Sequence, residues 1–120
     1  MKRNNFVLLC LLSACLVGCQ NSKAPKEIYK WDGYQEAIYQ YYKGDTTPAE
    51  QIAALQKLVE QAKASAKPVP PGLHAQLGLL FSNAGKMDDA MAEFNLEKQL
   101  FPESASYIDF LMSKGKGSLK

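Results

Sequence analysis

The chain has 120 residues, of which 47% are hydrophobic and 22% are charged, and its formal net charge at pH 7 is +2. This length accommodates one small domain with a modest core. All 12 acidic residues but only seven of the lysines lie between residues 27 and 109, so an acidic body is flanked by basic ends, which argues against nucleic-acid binding.

The N-terminus has the layout of a secretory signal peptide. Two basic residues precede an apolar run over residues 6–12, and the small Gly18 stands directly before Cys19. Residues 16–19 (LVGC) resemble the cleavage site of bacterial lipoproteins, in which the cysteine thiol receives a diacylglycerol group. We therefore expect residues 1–18 to be a signal peptide and Cys19 to carry S-diacylglycerol and an N-acyl chain such as palmitate.

Two alternatives at this site stay open. Cys15 ends a similar four-residue pattern, although cleavage there would leave an apolar run of only about seven residues. A transmembrane or core helix over residues 6–18 is disfavoured, because a bilayer span needs about 20 apolar residues and Ser13 and Gly18 interrupt this run.

In enteric bacteria, Asp after the lipidated cysteine retains a lipoprotein in the inner membrane. Gln20 occupies that place here, and resemblance to the rule implies the outer membrane, facing the periplasm.

Processing at Cys19 would leave about 102 residues without a free thiol, because Cys10 and Cys15 leave with the signal peptide. The polar segment over residues 19–26, which begins at the lipidated cysteine, is predicted to be a flexible spacer with a reach of roughly 15 Å. Residues 113–120 contain three lysines and few apolar side chains, so we expect a disordered basic tail there.

Between these ends, apolar residues recur at helical spacing. Four stripes predict four helices: Trp31, Tyr34, Ile38 and Tyr41; Ile52, Leu55, Val59, Ala62 and Ala66; Leu73, Leu77, Leu80 with Phe81, and Ala84; Ala90, Met91, Phe94, Glu97 with Lys98, and Phe101. Glycines and prolines separate the stripes. Thr47, Pro48 and Glu50 have the spacing of a capping box with proline at the first helical position. The sequence predicts an all-α domain over residues 27–112.

Residues 71–104 resemble a tetratricopeptide repeat, a 34-residue unit of two antiparallel helices. The matching positions are Leu77, Gly78, Phe81, Gly85, Ala90, Phe94 and Pro102. Gly78 and Ala90 are small enough to let the helices approach closely, and Gly85 is expected to take the positive φ of the turn. Glu97 departs from the alanine of the pattern, so we expect altered packing of the following helix.

The first half of the domain is predicted to be a second, degenerate hairpin. Its match requires an insertion of eight or nine residues around residues 44–50. Two hairpins leave an uncovered end face, so the apolar segment from Ser106 to Met112 is predicted to be a capping helix. The expected fold is therefore two antiparallel helical hairpins plus a C-terminal capping helix.

The whole domain also resembles a family of small Gram-negative lipoproteins labelled only as a domain of unknown function. The resemblance covers residues 27–112 and is carried by residues 31–34 (WDGY), residues 68–72 and residues 77–102. In that family the gene often lies beside one for a lipoprotein similar to the curli secretion channel. The resemblance implies a shared envelope assembly and supplies no reaction.

Few residues suit catalysis. The only histidine, His74, is expected at the surface or half-buried in the first turn of the third helix, and without a thiol it builds no catalytic triad. The adjacent Asp88 and Asp89 would point about 100° apart on a helix, so we expect them to be charges at a helix start. We expect no enzymatic activity, no metal, no small-molecule substrate and no cofactor beyond the lipid on Cys19.

Aromatic residues crowd the first predicted helix: Tyr29, Trp31, Tyr34, Tyr39, Tyr41 and Tyr42. One stripe of a short helix cannot bury them all, so Tyr29, Tyr39 and, at the edge of the stripe, Tyr42 are expected to be partly exposed as interface anchors. The first helices of tetratricopeptide hairpins line a groove. The groove candidates are Tyr39, Glu36, Gln40, Ala75, Leu79, Ser82 and Asn83. Packing of these tyrosines against the neighbouring loops is an equally open alternative.

The sequence thus favours a non-catalytic, membrane-anchored lipoprotein that acts as a protein–protein interaction adaptor or accessory factor. Its expected partners are envelope proteins, including neighbouring lipoproteins of a secretion-channel-like assembly. A regulator of a peptidoglycan synthase or hydrolase is the alternative, and self-association is a third hypothesis.

Overall fold

A computed structural model describes residues 26–117, with side chains described up to Lys114. The helices are α1 (Tyr34–Lys43), α2 (Pro48–Ala64), α3 (Leu73–Asn83), α4 (Met87–Leu100), a 3-10 helix (Pro102–Ser104) and α5 (Ala105–Gly117). These residues include no strand, which confirms the all-α prediction. The predicted signal peptide, Cys19 and most of the predicted spacer lie outside the described residues. No helix within residues 26–117 combines the length and apolarity needed to cross a membrane.

Helix α1 lies on the surface of the domain, and none of its residues is fully buried. Tyr34, Ile38 and Tyr41 are half-buried, whereas Trp31, ahead of the helix, is 37% exposed. The predicted stripe therefore faces the rest of the domain but is only partly covered, because α1 packs mainly against α2.

Helix α2 begins with the predicted capping box. The Glu50 N–H donates to the Thr47 hydroxyl at 3.3 Å, and the Thr47 N–H donates to the Glu50 carboxylate at 2.7 Å. The Thr47 N–H and then the Thr47 hydroxyl, which both bind the Glu50 carboxylate, hold the pKa of this exposed carboxyl below its usual value. The capping box and Pro48 explain why the helix starts where it does.

The buried face of α2 differs from the predicted stripe. The fully buried residues are Gln51, Leu55, Leu58 and Ala62. Ile52 and Val59 are only half-buried, so the core face is centred closer to Leu58 than predicted. Ala66 is exposed because the helix ends at Ala64 and Ala66 turns the chain with a φ of 51°.

Helices α3 and α4 form the centre of the fold. Contacts pair the start of α3 with the end of α4, as in Ala75 with Glu97 and then Gly78 with Phe94, so the helices are antiparallel. Gly85, between them, has the predicted positive φ, 74°. Seven residues of α3 are buried: Leu73, His74, Ala75, Leu77, Gly78, Leu80 and Phe81. Ala84, predicted to continue this stripe, is exposed because α3 ends at the preceding residue.

Helix α5 packs against α4 through the fully buried Ile108 and the half-buried Leu111 and Met112. It extends to Gly117, beyond the predicted end at residue 112. The predicted boundary of the disordered tail therefore lies too early, because the polar residues after Met112 continue the last turns of the helix. Residues 118–120 lie outside the described part.

The segment before α1 crosses the domain. The Lys30 N–H donates to the Pro68 carbonyl at 3.0 Å, and this bond links the segment to the loop between α2 and α3. The Tyr29 ring lies edge-on to Phe101, with centroids 6.0 Å apart, at the end of α4. This segment consequently contacts both helix pairs.

Candidate partner-binding site

An open cavity of about 430 Å³, the α1–α3 cavity, lies where α1, α3 and α5 meet. Its lining residues are Trp31, Tyr34, Gln35, Ile38, Tyr42, Gly72, Ala75, Gln76, Leu79 and Tyr107. They include four aromatic side chains and two amides, and none is ionised at neutral pH. The volume lies within the range of about 300–1,000 Å³ that is usual for ligand pockets.

Aromatic side chains form the rim of the α1–α3 cavity. Tyr42 is 80% exposed, Tyr107 is 55% exposed and Trp31 is 37% exposed. Trp31 and Tyr34 lie side by side, with ring centroids 5.9 Å apart. Exposed rings that pair an apolar body with a polar tip suit protein interfaces, because they bury large areas and still satisfy their polar atoms.

One residue of the cavity lining carries an unpaired hydrogen-bond donor. The Gln76 Nε2 atom is buried and finds no hydrogen-bond partner among the described residues. A buried amide without a partner is costly, so such groups are normally paired in a functional state. If the Gln76 side chain turns toward the cavity, a carbonyl or hydroxyl oxygen of a ligand can accept this N–H group.

Behind the lining residues Gly72 and Ala75 lies the carboxylate of Glu97 in α4, which is 0% exposed. Its two oxygens accept the backbone N–H groups of Gly72 at 2.7 Å and of Ala75 at 3.3 Å. Gly72 has no side chain to cap α3, and Glu97 takes over that role from another helix. The negative charge lies at the helix N-terminus, where the dipole favours it. This explains why Glu97 replaces the alanine of the repeat pattern.

Tyr34 packs next to Gly72 at the start of α3. A Cβ atom on Gly72 would lie 3.0 Å from the Tyr34 hydroxyl, so glycine at this positive φ leaves room for the ring. Burial, assisted by the charges of Glu97 and Tyr42, raises the pKa of Tyr34 to about 12.

We expect Tyr34 to make the fold sensitive to alkaline pH. Because the folded chain holds this proton up to a pKa of about 12, whereas an unfolded tyrosine releases it near 10, the associated stability is present below about pH 10 and is lost between about pH 10 and 12. Urea unfolding midpoints of the wild type and Tyr34→Phe should therefore diverge above about pH 10, to the disadvantage of the wild type. A constant difference across this range would contradict the prediction.

The structure divides the predicted groove residues between two surfaces. Ala75 and Leu79 do line the α1–α3 cavity, and Ala75 is itself buried. Glu36 and Gln40 are hydrogen-bonded to each other at 2.6 Å and line a separate cleft between α1 and α2. Tyr39 is 58% exposed and lines neither surface.

The remaining candidates, Ser82 and Asn83, lie at the end of α3 outside the lining of the α1–α3 cavity. The predicted and observed faces of α1 differ in helical phase, since each residue turns the side chain by about 100° and the residues of α1 that line the cavity include Gln35, Ile38 and Tyr42. Extending the Trp31 and Ile38 stripe to position 42 would have indicated this face.

His74 is buried, at 5% exposure, which differs from the predicted surface or half-buried position. Its Nδ1–H donates to the Glu93 carboxylate at 2.6 Å, and this pairing makes its burial tolerable. The pair borders a cavity of about 480 Å³ whose lining residues, all in the described part, include no serine, threonine or cysteine. Residues 26–117 also contain no group of three or more His, Cys, Asp or Glu side chains suited to a metal ion.

One comparison with known proteins gives a match. The sequence model of the family described as "Domain of unknown function (DUF4810)" matches residues 28–111, which include α1 to α4 and the first half of α5. No curated protein and no solved structure matches the chain.

Proposed function

Since the chain belongs to the DUF4810 family, whose description assigns no activity, we propose its function from the site itself. The protein is a non-catalytic lipoprotein, anchored through Cys19 to the outer membrane, that binds an envelope protein as an adaptor. The observation that carries this proposal is the α1–α3 cavity, with its exposed aromatic rim and uncharged lining.

The chemistry of the cavity favours an extended, uncharged peptide segment as its ligand. Trp31, Tyr42 and Tyr107 offer ring faces for apolar side chains, and the Gln76 amide, once turned toward the cavity, offers a donor for a backbone carbonyl. A charged side chain would find no opposite charge in this lining and would lose its hydration. The resemblance of residues 71–104 to a tetratricopeptide repeat supports this use, since the first helices of such hairpins form a binding groove.

Photo-cross-linking in cells tests the proposed site on the full chain. A photoreactive phenylalanine analogue at position 42 should cross-link to a specific envelope protein, and mass spectrometry should place the link in an uncharged segment of it. The matched control is position 39, which is also an exposed tyrosine of α1 but lies outside the cavity. Equal cross-linking from both positions, or none from position 42, would refute the site. A wall synthase or hydrolase as the linked protein would favour the regulator role.

The anchor is tested separately by labelling with radioactive palmitate. The wild type and Cys15→Ser should incorporate label into the membrane fraction, and Cys19→Ser should not. Loss of label in Cys15→Ser would show that Cys15 is the lipidated residue. Absence of label in the wild type would contradict the proposed lipid anchor.

A further inference from the structure

A second surface lies on the outer side of the first helix pair. The cleft between α1 and α2, here called the α1–α2 cleft, has a volume of about 430 Å³. It is lined by Asp32, Gly33, Glu36, Ala37, Gln40, Thr46, Glu50, Gln51, Ala54, Lys57, Leu58 and Gln61. None of these residues belongs to α3, α4 or α5, so this cleft is separate from the α1–α3 cavity.

The α1–α2 cleft combines an apolar floor with an acidic rim. Small side chains such as Ala37 and Ala54 face each other across it, and no aromatic residue lines it. In contrast, the Phe94 ring fills the corresponding space between α3 and α4.

Three carboxylates and a single lysine lie among the lining residues. Lys30, outside the lining, pairs with Asp32, but Glu36 and Glu50 are hydrogen-bonded only to uncharged groups. The cleft therefore keeps a net negative charge and suits an occupant with a large apolar side chain and a positive charge.

The outer face of α5 presents those two features. Phe110 is 54% exposed, although it is a large apolar residue, and the Lys114 ammonium lies 5.5 Å from the centre of its ring. The buried Ile108, two residues before Phe110, faces α4 about 160° away around the helix. Phe110 therefore points away from its own domain.

We infer that the outer face of α5 in one copy of this chain docks into the α1–α2 cleft of a second copy. Phe110 would occupy the apolar floor, and Lys114 would lie against the acidic rim. Because the two surfaces are different and belong to the first and last helices, the contact is head-to-tail and leaves one free surface at each end. Unless two copies exchange both contacts reciprocally, such association builds rings or open chains of more than two copies. It uses neither Tyr42 nor Gln76, so it is independent of the proposed adaptor site.

The first test measures association of the full chain in a density-matched detergent by sedimentation. The wild type should increase in mass beyond a monomer as its concentration rises, to a closed dimer if the contacts are reciprocal and to larger assemblies if they are not. Phe110→Ser removes the inserted ring, and Ala54→Arg fills the cleft and repels Lys114, so each variant alone should remain monomeric. Both positions are exposed, and circular dichroism checks that the variants fold. Tyr39→Ser, which removes an aromatic ring of similar exposure outside the cleft, should associate like the wild type.

Mixing the two variants gives the decisive result. Phe110→Ser keeps an intact cleft and Ala54→Arg keeps an intact α5, so an equimolar mixture should form a heterodimer and nothing larger. A monomeric wild type, association that survives either substitution, or a mixture that stays monomeric would overturn the inference. A photoreactive analogue at position 110 supplies a second measurement: links to residues 54–61 of another copy support the docking, and links elsewhere or none oppose it.

Discussion

Replacing Glu97 with alanine is expected to lower the free energy of unfolding by about 3 kcal/mol, because a charged helix cap and a filled site are lost together. The carboxylate is fully buried and accepts the Gly72 and Ala75 N–H groups at the start of α3. Without it, these donors stay buried with no partner, and a cavity opens behind Tyr34. Alanine is the residue of the repeat pattern at this position, so the pattern alone would predict the opposite result.

Urea unfolding followed by circular dichroism measures this effect. Glu97→Gln keeps one acceptor oxygen and should fall between the wild type and Glu97→Ala. Glu60→Ala is the matched control, because Glu60 lies exposed in a surface ion pair with Lys63 and its loss should change stability by less than about 0.5 kcal/mol. Equal effects of the Glu97 and Glu60 substitutions would show that the buried cap contributes nothing.

Gly78→Ala should destabilise the chain by about 2 kcal/mol, even though alanine favours helices by about 1 kcal/mol over glycine. A Cβ atom at position 78 would lie 2.4 Å from Cε1 of the Phe94 ring, far inside contact distance. The ring is buried among the core residues between α3 and α4 and has little room to shift, so the helices would have to separate.

A double substitution separates this clash from other causes. In Phe94→Leu the ring is absent, so adding Gly78→Ala should cost little or should stabilise the helix. Ser82→Ala, in the same helix, is the control for a general sensitivity of α3 and should change stability by less than about 0.5 kcal/mol. Additive effects of Gly78→Ala and Phe94→Leu would contradict the steric explanation.

The elements that the sequence predicts best are those governed by local rules. The capping box at Thr47, the turn at Gly85 and the close approach at Gly78 depend on residues near in sequence or on a known repeat spacing, and the structure contains all three. The predicted C-terminal ends of α2 and α5 differ from the observed ends. Ala66 is apolar but leaves the helix, and polar residues after Met112 remain in it, because apolar spacing does not determine where a helix stops.

The candidate site was harder to predict because it depends on contacts between distant residues. Gln76 and Tyr107 meet α1 only after the helices pack. Gln76 belongs to no apolar stripe, and Tyr107 lies in the predicted capping segment, whose position beside α1 does not follow from the sequence. Glu97 was identified as a deviation from the repeat, but its function as a cap depends on Gly72, 25 residues earlier in the chain. On α1, Tyr39 and Tyr42 lie on different faces of the helix, and only Tyr42 lines the α1–α3 cavity.

The segment before α1, which contains Tyr29 and Lys30, would be the first part of the domain to receive a pulling force from the N-terminal side. If the chain is held at Cys19, tension from the membrane enters the domain through this segment. The backbone bond from Lys30 to Pro68 and the contact of Tyr29 with Phe101 divide that force between the loop joining α2 to α3 and the end of α4. If the N-terminal segment were joined directly to α1 without these contacts, the same force would act first on α1, none of whose residues is fully buried. In a chain held at Cys19, the crossing segment would take up part of the force before it reaches α1 and the proposed partner-binding cavity.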